Sequence, residues 1–192
     1  MKKTTQFLLF LTLVTAAFGL GGEAEALRGP DPELPEAAQM LFLRGTWEVT
    51  IRETKEDGSV EEKPYKPIAM GYYLPDGRTF QVQFMAGGGK WFYSTQLKAF
   101  DGKKGKWTNV FVNAKLQRWS SSESQWIDGE LITTVPGGYS GDEPFISRER
   151  DTEISAEGFV KKLYTSHDEG KTWEEQKMVM IYKRVSPQAA LD

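Results

Sequence analysis

A single histidine, His167, and the absence of cysteine restrict the chemistry open to this sequence. Histidine-based triads and His-ligated zinc or haem would all have to run through His167. Thiolate nucleophiles, disulfides and Cys-ligated metals are excluded. His167 falls in Ser166-His167-Asp168-Glu169-Gly170-Lys171-Thr172-Trp173, where it reads as an exposed turn side chain. Carboxylates come in adjacent pairs, Glu61/Glu62, Asp142/Glu143 and Glu174/Glu175. Neighbours on a strand point to opposite faces, so these pairs read as solvated charge rather than a glycosidase dyad. The sequence has no phosphate-cradling loop, calcium loop or nucleophile elbow. Neither a cofactor nor a metal is expected.

The segment from Ile146 to Ile154 is the most unusual. Ile146, Arg148, Arg150, Thr152 and Ile154 alternate with Ser147, Glu149, Asp151 and Glu153. The isoleucines predict that the arginine face turns inward. Arg148 or Arg150 would then anchor a ligand carboxylate or phosphate. The alternative is that both arginines pair with acids at an exposed strand end. Candidate pocket walls follow from the same parity. Phe80, Val82 and Phe84 share one face, and Phe111 shares another with Trp107 and Asn113. Met178, Met180 and Tyr182 form a third, whose thioethers suit an adaptable pocket. Trp91 and Tyr93 complete the candidate ligand-binding set, and close packing with no cavity is the alternative. An enzyme built here would use a tyrosine such as Tyr93 or Tyr182 with a buried Glu or Arg.

These side chains need a scaffold, and the period of the pattern supplies it. Lys2 and Lys3, the apolar run from Phe7 to Leu20, and Ala24-Glu25-Ala26 together predict a signal peptide over 1–26, cut after Ala26. The apolar run is too short to span a bilayer, which takes about 20 residues. The chain is expected to be exported, periplasmic or extracellular, with no stable membrane insertion after cleavage. Residues 27–44 read as a Pro-rich spacer and a short helix that begins at Pro35 and stops before Gly45. From 45 to 186 the period is two. Asp57-Gly58, Pro75-Asp76-Gly77, Gly87-Gly88-Gly89 and Asp101-Gly102 mark the turns. A serine-rich loop is expected over Ser120 to Glu123, between Trp119 and Trp126. The fold class is all-β, an antiparallel up-and-down barrel of about eight to ten strands, because a long meander removes its edges by closing on itself. Residues 187–192 form a tail. The net charge of −3 over 192 residues gives no electrostatic footprint for nucleic acid. Oligomeric state is not readable from the sequence.

Two short motifs add a resemblance. Gly45-Thr46-Trp47 opens the first strand, and Tyr182-Lys183-Arg184 closes the last. The pairing resembles the lipocalins and the wider calycin group, which implies that Arg184 stacks over Trp47 at the closed end of the barrel, a contact worth about 1 kcal/mol. Gly45 and Trp47, the stretch from Ala99-Phe100-Asp101 to Trp107-Thr108-Asn109, and Tyr182 with Arg184 also resemble an uncharacterised family of exported bacterial calycin-like domains. That family more often carries Tyr-Asp where this chain has Phe100-Asp101. Ser166 to Trp173 matches the Asp-box of sialidases and other β-proteins. Asp168, Gly170 and Trp173 then serve turn architecture, because a sialidase would need a propeller with several such boxes. A haem barrel of the nitrobindin type would need a proximal histidine. The resemblance implies a barrel and carries no settled activity; the leading reading is an exported, lipocalin-like barrel that binds a small, largely apolar ligand, with no catalysis expected. The alternatives are a barrel enzyme and a filled barrel that docks on another envelope protein.

Overall fold

Alternating apolar and polar residues build eleven strands, joined mostly by hairpins. They are β1 (Gly45–Thr54), β2 (Val60–Glu62), β3 (Ile68–Tyr73), β4 (Thr79–Ala86), β5 (Trp91–Asp101) and β6 (Lys106–Asn113). The remainder are β7 (Arg118–Ile127), β8 (Glu130–Ser140), β9 (Glu143–Thr152), β10 (Gly158–Ser166) and β11 (Glu174–Arg184). The computed structural model describes residues 29–86, 91–113, 117–140 and 143–185. The inferred signal segment, the triple glycine and the C-terminal tail lie outside the described residues.

Ten strands close into an antiparallel barrel, while the short β2 hangs on the outer end of β1. The seam is the β1–β11 pairing, in register from Trp47↔Arg184 to Glu53↔Met178. On its other side β1 pairs with β3, from Gly45↔Gly71 to Glu48↔Ile68. Aspartates organise the turns. Asp57 accepts the Ser59 amide at 2.9 Å, and Asp76 accepts the amides of Arg78 and Thr79 at 3.0 and 2.8 Å. Among the described residues no helix is long and apolar enough to cross a membrane.

A nine-residue 3₁₀ helix, Pro35–Leu43, plugs one end. Its Ala37, Met40 and Leu43 are buried against Trp47, Tyr73, Phe80, Trp107 and Leu131. Polar tips of the buried aromatics fasten it. Trp47 Nε1 donates to the Leu43 carbonyl (3.0 Å), Tyr73 Oη to the Ala37 carbonyl (2.6 Å) and Trp107 Nε1 to Gln39 Oε1 (2.9 Å). Each bond lets a large ring be buried without an orphaned donor. Arg184 lies over Trp47, its guanidinium carbon 4.0 Å from the ring centroid, and donates to the Arg44 carbonyl at 2.7 Å. Gly45 makes room for it. The backbone there has φ +113, and a Cβ would sit 2.6 Å from Arg184 Nη1.

One expected loop is a strand. Ser120 to Glu123 lie inside β7, paired with β6 from Trp107↔Ser124 to Asn113↔Arg118. The reason is alternation of role. Ser122 and Ser124 are buried and bond to Asn109 inside the barrel, while Ser121, at the alternate position between strand neighbours, is exposed. Small polar residues mimic a loop in composition when their inward hydroxyls serve a buried amide.

Candidate functional site

Beyond Trp47 the barrel interior is not filled. A cavity of about 280 Å³ opens there, floored by Leu43, Trp47 and Ala69. Its walls are apolar on several sides: Val82 and Phe84 from β4, Phe111 from β6, Phe159 and Leu163 from β10, and Met180 from β11. Tyr93 lies toward solvent at 40% exposure and meets Phe84 edge to face, with centroids 6.0 Å apart. Tyr182 is stacked on Phe159 at 4.2 Å, and among the described residues its hydroxyl bonds to Met180 Sδ alone, at 3.8 Å. Burial pushes that hydroxyl well above the ordinary phenol value, with Lys161 pulling the other way.

One side of the cavity carries charge. Lys98 on β5, Glu149 and Asp151 on β9 and Lys161 on β10 all line it. Lys161 Nζ bridges both acids, at 2.6 Å from Glu149 Oε2 and 3.0 Å from Asp151 Oδ1. Lys98, only 4% exposed, is in no ion pair among the described residues. It donates to Asn109 Oδ1 at 3.2 Å. The orientation of that amide is set from behind. Asn109 Nδ2 donates to Ser124 Oγ (2.7 Å) and Ser122 Oγ (3.1 Å), and the Ser124 and Thr133 hydroxyls are hydrogen-bonded to each other at 2.7 Å. The oxygen must then face Lys98.

Titration behaviour follows from this asymmetry. Burial and the neighbouring Lys161 cation push Lys98 down to about 8. Burial alone would lower Lys161 too, but Asp151 and Glu149 hold it well above the ordinary lysine value. Burial raises Asp151, and the attraction of Lys161 does not fully offset it. Glu149, also desolvated, ends below its ordinary value because the Lys161 contact outweighs burial.

Several residues named from parity meet in the cavity: Val82, Phe84, Tyr93, Phe111, Met180 and Tyr182. Phe80 does not. It is buried at the helix end, 4.8 Å from Tyr73 in a T-shaped contact. Met178 packs on the core edge, and the Trp91 side chain lies outside the described residues. The expected orientation of β9 is reversed. Arg148 and Arg150 point outward, Arg148 over Trp173 at 3.8 Å, and Arg150 bonding to Glu130 beside Tyr164. Neither arginine reaches the cavity, and the acidic face does instead. The isoleucines misled for local reasons. Ile146 lies under the Ser166–Trp173 turn, with its Cδ1 near Gly170. Ile154 follows Glu153, whose φ of 53 breaks the alternation after the strand has ended.

The Ser166–Trp173 turn is a closed hydrogen-bonded unit away from the cavity. Asp168 accepts from Ser166 Oγ (2.8 Å), the Thr172 amide (2.9 Å) and Thr172 Oγ1 (2.7 Å). Trp173 Nε1 donates to the Gly170 carbonyl at 3.0 Å. His167 is exposed there, beside the Phe145 ring.

Compared with family models and with curated proteins, the chain matches none. Among solved structures, the S-type phycobiliprotein lyase CPES from Guillardia theta is similar over 82% of this chain and 99% of its own, at 10% identity and a TM-score of 0.48. Rv2717c from M. tuberculosis is similar over 80% of this chain and 99% of its own, at 12% identity and a TM-score of 0.44. At these identities and scores neither bears on what the cavity holds.

Proposed function

We propose that this protein is a lipocalin-like carrier that holds one small, largely apolar molecule inside the barrel, its polar head toward Lys98 and Lys161. The observation that carries the reading is the cavity of about 280 Å³, with apolar walls and one charged side. Small-molecule sites usually run from about 300 to 1,000 Å³ and combine apolar lining with a few placed polar groups. A filled barrel that docks on a partner would have no use for that space. A tyrosine-based acid–base site is disfavoured by Tyr182, which is stacked, buried and hard to ionise. The sequence signal at 1–26 supports export of the barrel, and N-terminal sequencing of the purified protein checks it. A start at Leu27 agrees, and a retained Met1 or Lys2 does not.

The binding test is calorimetric titration of 1-octanol into the protein and into Val82→Phe, whose ring would occupy the cavity. Saturable binding of one molecule per chain, abolished in Val82→Phe, is the expected result. Binding that survives the substitution, or that never saturates, places any affinity on the surface and removes the proposal.

A further inference from the structure

We infer that Lys98 is an amine nucleophile that captures an apolar aldehyde in this cavity as an imine. The inference rests on the cavity's taking an apolar ligand, and it names the head group. Four observations converge on it. Lys98 is almost completely buried yet lines the cavity, so its Nζ is reachable only by a molecule that has entered the barrel. Its hydrogen bond is to a neutral amide oxygen, held in place by Ser122 and Ser124, and among the described residues it is in no ion pair. The two acids of the cavity are both engaged by Lys161 instead. A second cation and an apolar wall are the two surroundings that make a lysine a nucleophile, since both disfavour its ammonium form.

Besides Lys98, the titratable groups that line the cavity are Tyr93 from β5, Glu149 and Asp151 from β9, Lys161 from β10 and Tyr182 from β11. The Lys98 lone pair attacks the carbonyl carbon, a C–N bond forms, and the carbonyl π pair moves to oxygen. One N–H proton passes to that oxygen to give the carbinolamine. A second proton, drawn from solvent, then reaches the same oxygen. The C–O bond breaks, the oxygen leaves as water, and the nitrogen lone pair closes the C=N bond. The products are an iminium that keeps one N–H, with the Glu149 and Asp151 carboxylates lining the same cavity, and one water. No oxidant or reductant is consumed. A lysine at about 8 instead of 10.5 holds on the order of a hundredfold more neutral amine at neutral pH than an exposed one.

The test uses octanal with sodium cyanoborohydride at neutral pH, which reduces any imine to a stable secondary amine. It is read by intact mass and by peptide mapping, beside calorimetry of 1-octanol on the same preparation. The expected result is one octyl group per chain, mapped to Lys98, forming at least about tenfold faster than on any other lysine. Lys98→Arg and Lys98→Met should both lose that label, with folding checked by circular dichroism. If label spreads over surface lysines while 1-octanol still binds, Lys98 is not the nucleophile and the carrier reading stands. If 1-octanol fails to bind as well, both are overturned.

Discussion

At the scale of single residues, Lys98 has given up nearly all its hydration for a hydrogen bond to Asn109. It loses its proton near pH 8 in the fold, against 10.5 when free. Between those values the unfolded chain carries a proton that the folded chain has released, so stability rises with pH across that window. Below it the whole cost is present, and a shift of this size corresponds to about 3 kcal/mol. Lys98→Met keeps the length and drops the charge. It should raise the unfolding free energy at pH 7 by about 1–3 kcal/mol, and by clearly less near pH 9.5. Lys161 has the opposite sign. Its contribution is present below the ordinary lysine value and is lost as pH climbs through its raised folded value, outside the measured window. Urea unfolding at the two pH values decides, and an equal gain at both would count against desolvation as the cause. Lys161 was not among the candidates, although Phe159 and Leu163 stand two positions either side and place it on an apolar face. Neither were Glu149 and Asp151. Ile146 and Ile154 bracket the opposite parity, and only the turn above one and the left-handed Glu153 before the other explain why they mislead.

At the scale of elements, close approaches set the tolerances. The helix seats on β3 at Gly71, where a Cβ would lie 2.1 Å from the Leu43 carbonyl oxygen and 2.9 Å from Phe80. The first of these is backbone and cannot swing away. Gly71→Ala must therefore lift the end of the helix off the barrel, at about 1–3 kcal/mol of overpacking. Near-ultraviolet circular dichroism should also change, since Trp47 bonds to that same carbonyl. An unaltered spectrum with full stability would show that the helix is not seated as described. The Ser166–Trp173 turn behaves as a separate unit. Bonds from the Thr172 amide, the Thr172 hydroxyl and Ser166 hold Asp168 well below the usual carboxylate range. A depressed carboxylate stabilises above its ordinary value and loses that effect only as pH falls through the folded one. Asp168→Ala is expected to speed amide exchange at Thr172 and lower Tm while leaving 1-octanol affinity unchanged. A loss of affinity would tie the turn to the cavity. Strands, hairpins and this turn were readable because period and turn chemistry are local. The β7 serines were not, because what keeps them in a strand is Asn109 on the neighbouring one.

At the scale of the molecule, closure makes the cavity a shared property of the whole sheet. The seam joins the first barrel strand to the last, and residues around the cavity come from β1, β3, β4, β5, β6, β9, β10 and β11. A ligand that touches so many strands cannot stabilise one hairpin alone. Its binding free energy has to appear in global unfolding, as about 2.7 kcal/mol when free ligand stands at a hundredfold its Kd. For a domain of this size that is a rise in Tm of roughly 5–10 °C. The rise should be the same by far-ultraviolet circular dichroism, which reports the sheet, and by tryptophan fluorescence, which Trp47 on the cavity floor and Trp107 beneath the helix report. Val82→Phe should melt at or above the unliganded temperature and show no further rise with 1-octanol, because its side chain already fills the space. A shift seen by fluorescence alone would mean that ligand quenches a surface tryptophan such as Trp119, which is 71% exposed, without entering the barrel. Coincident shifts that vanish on filling the cavity require the ligand to sit where all those strands meet.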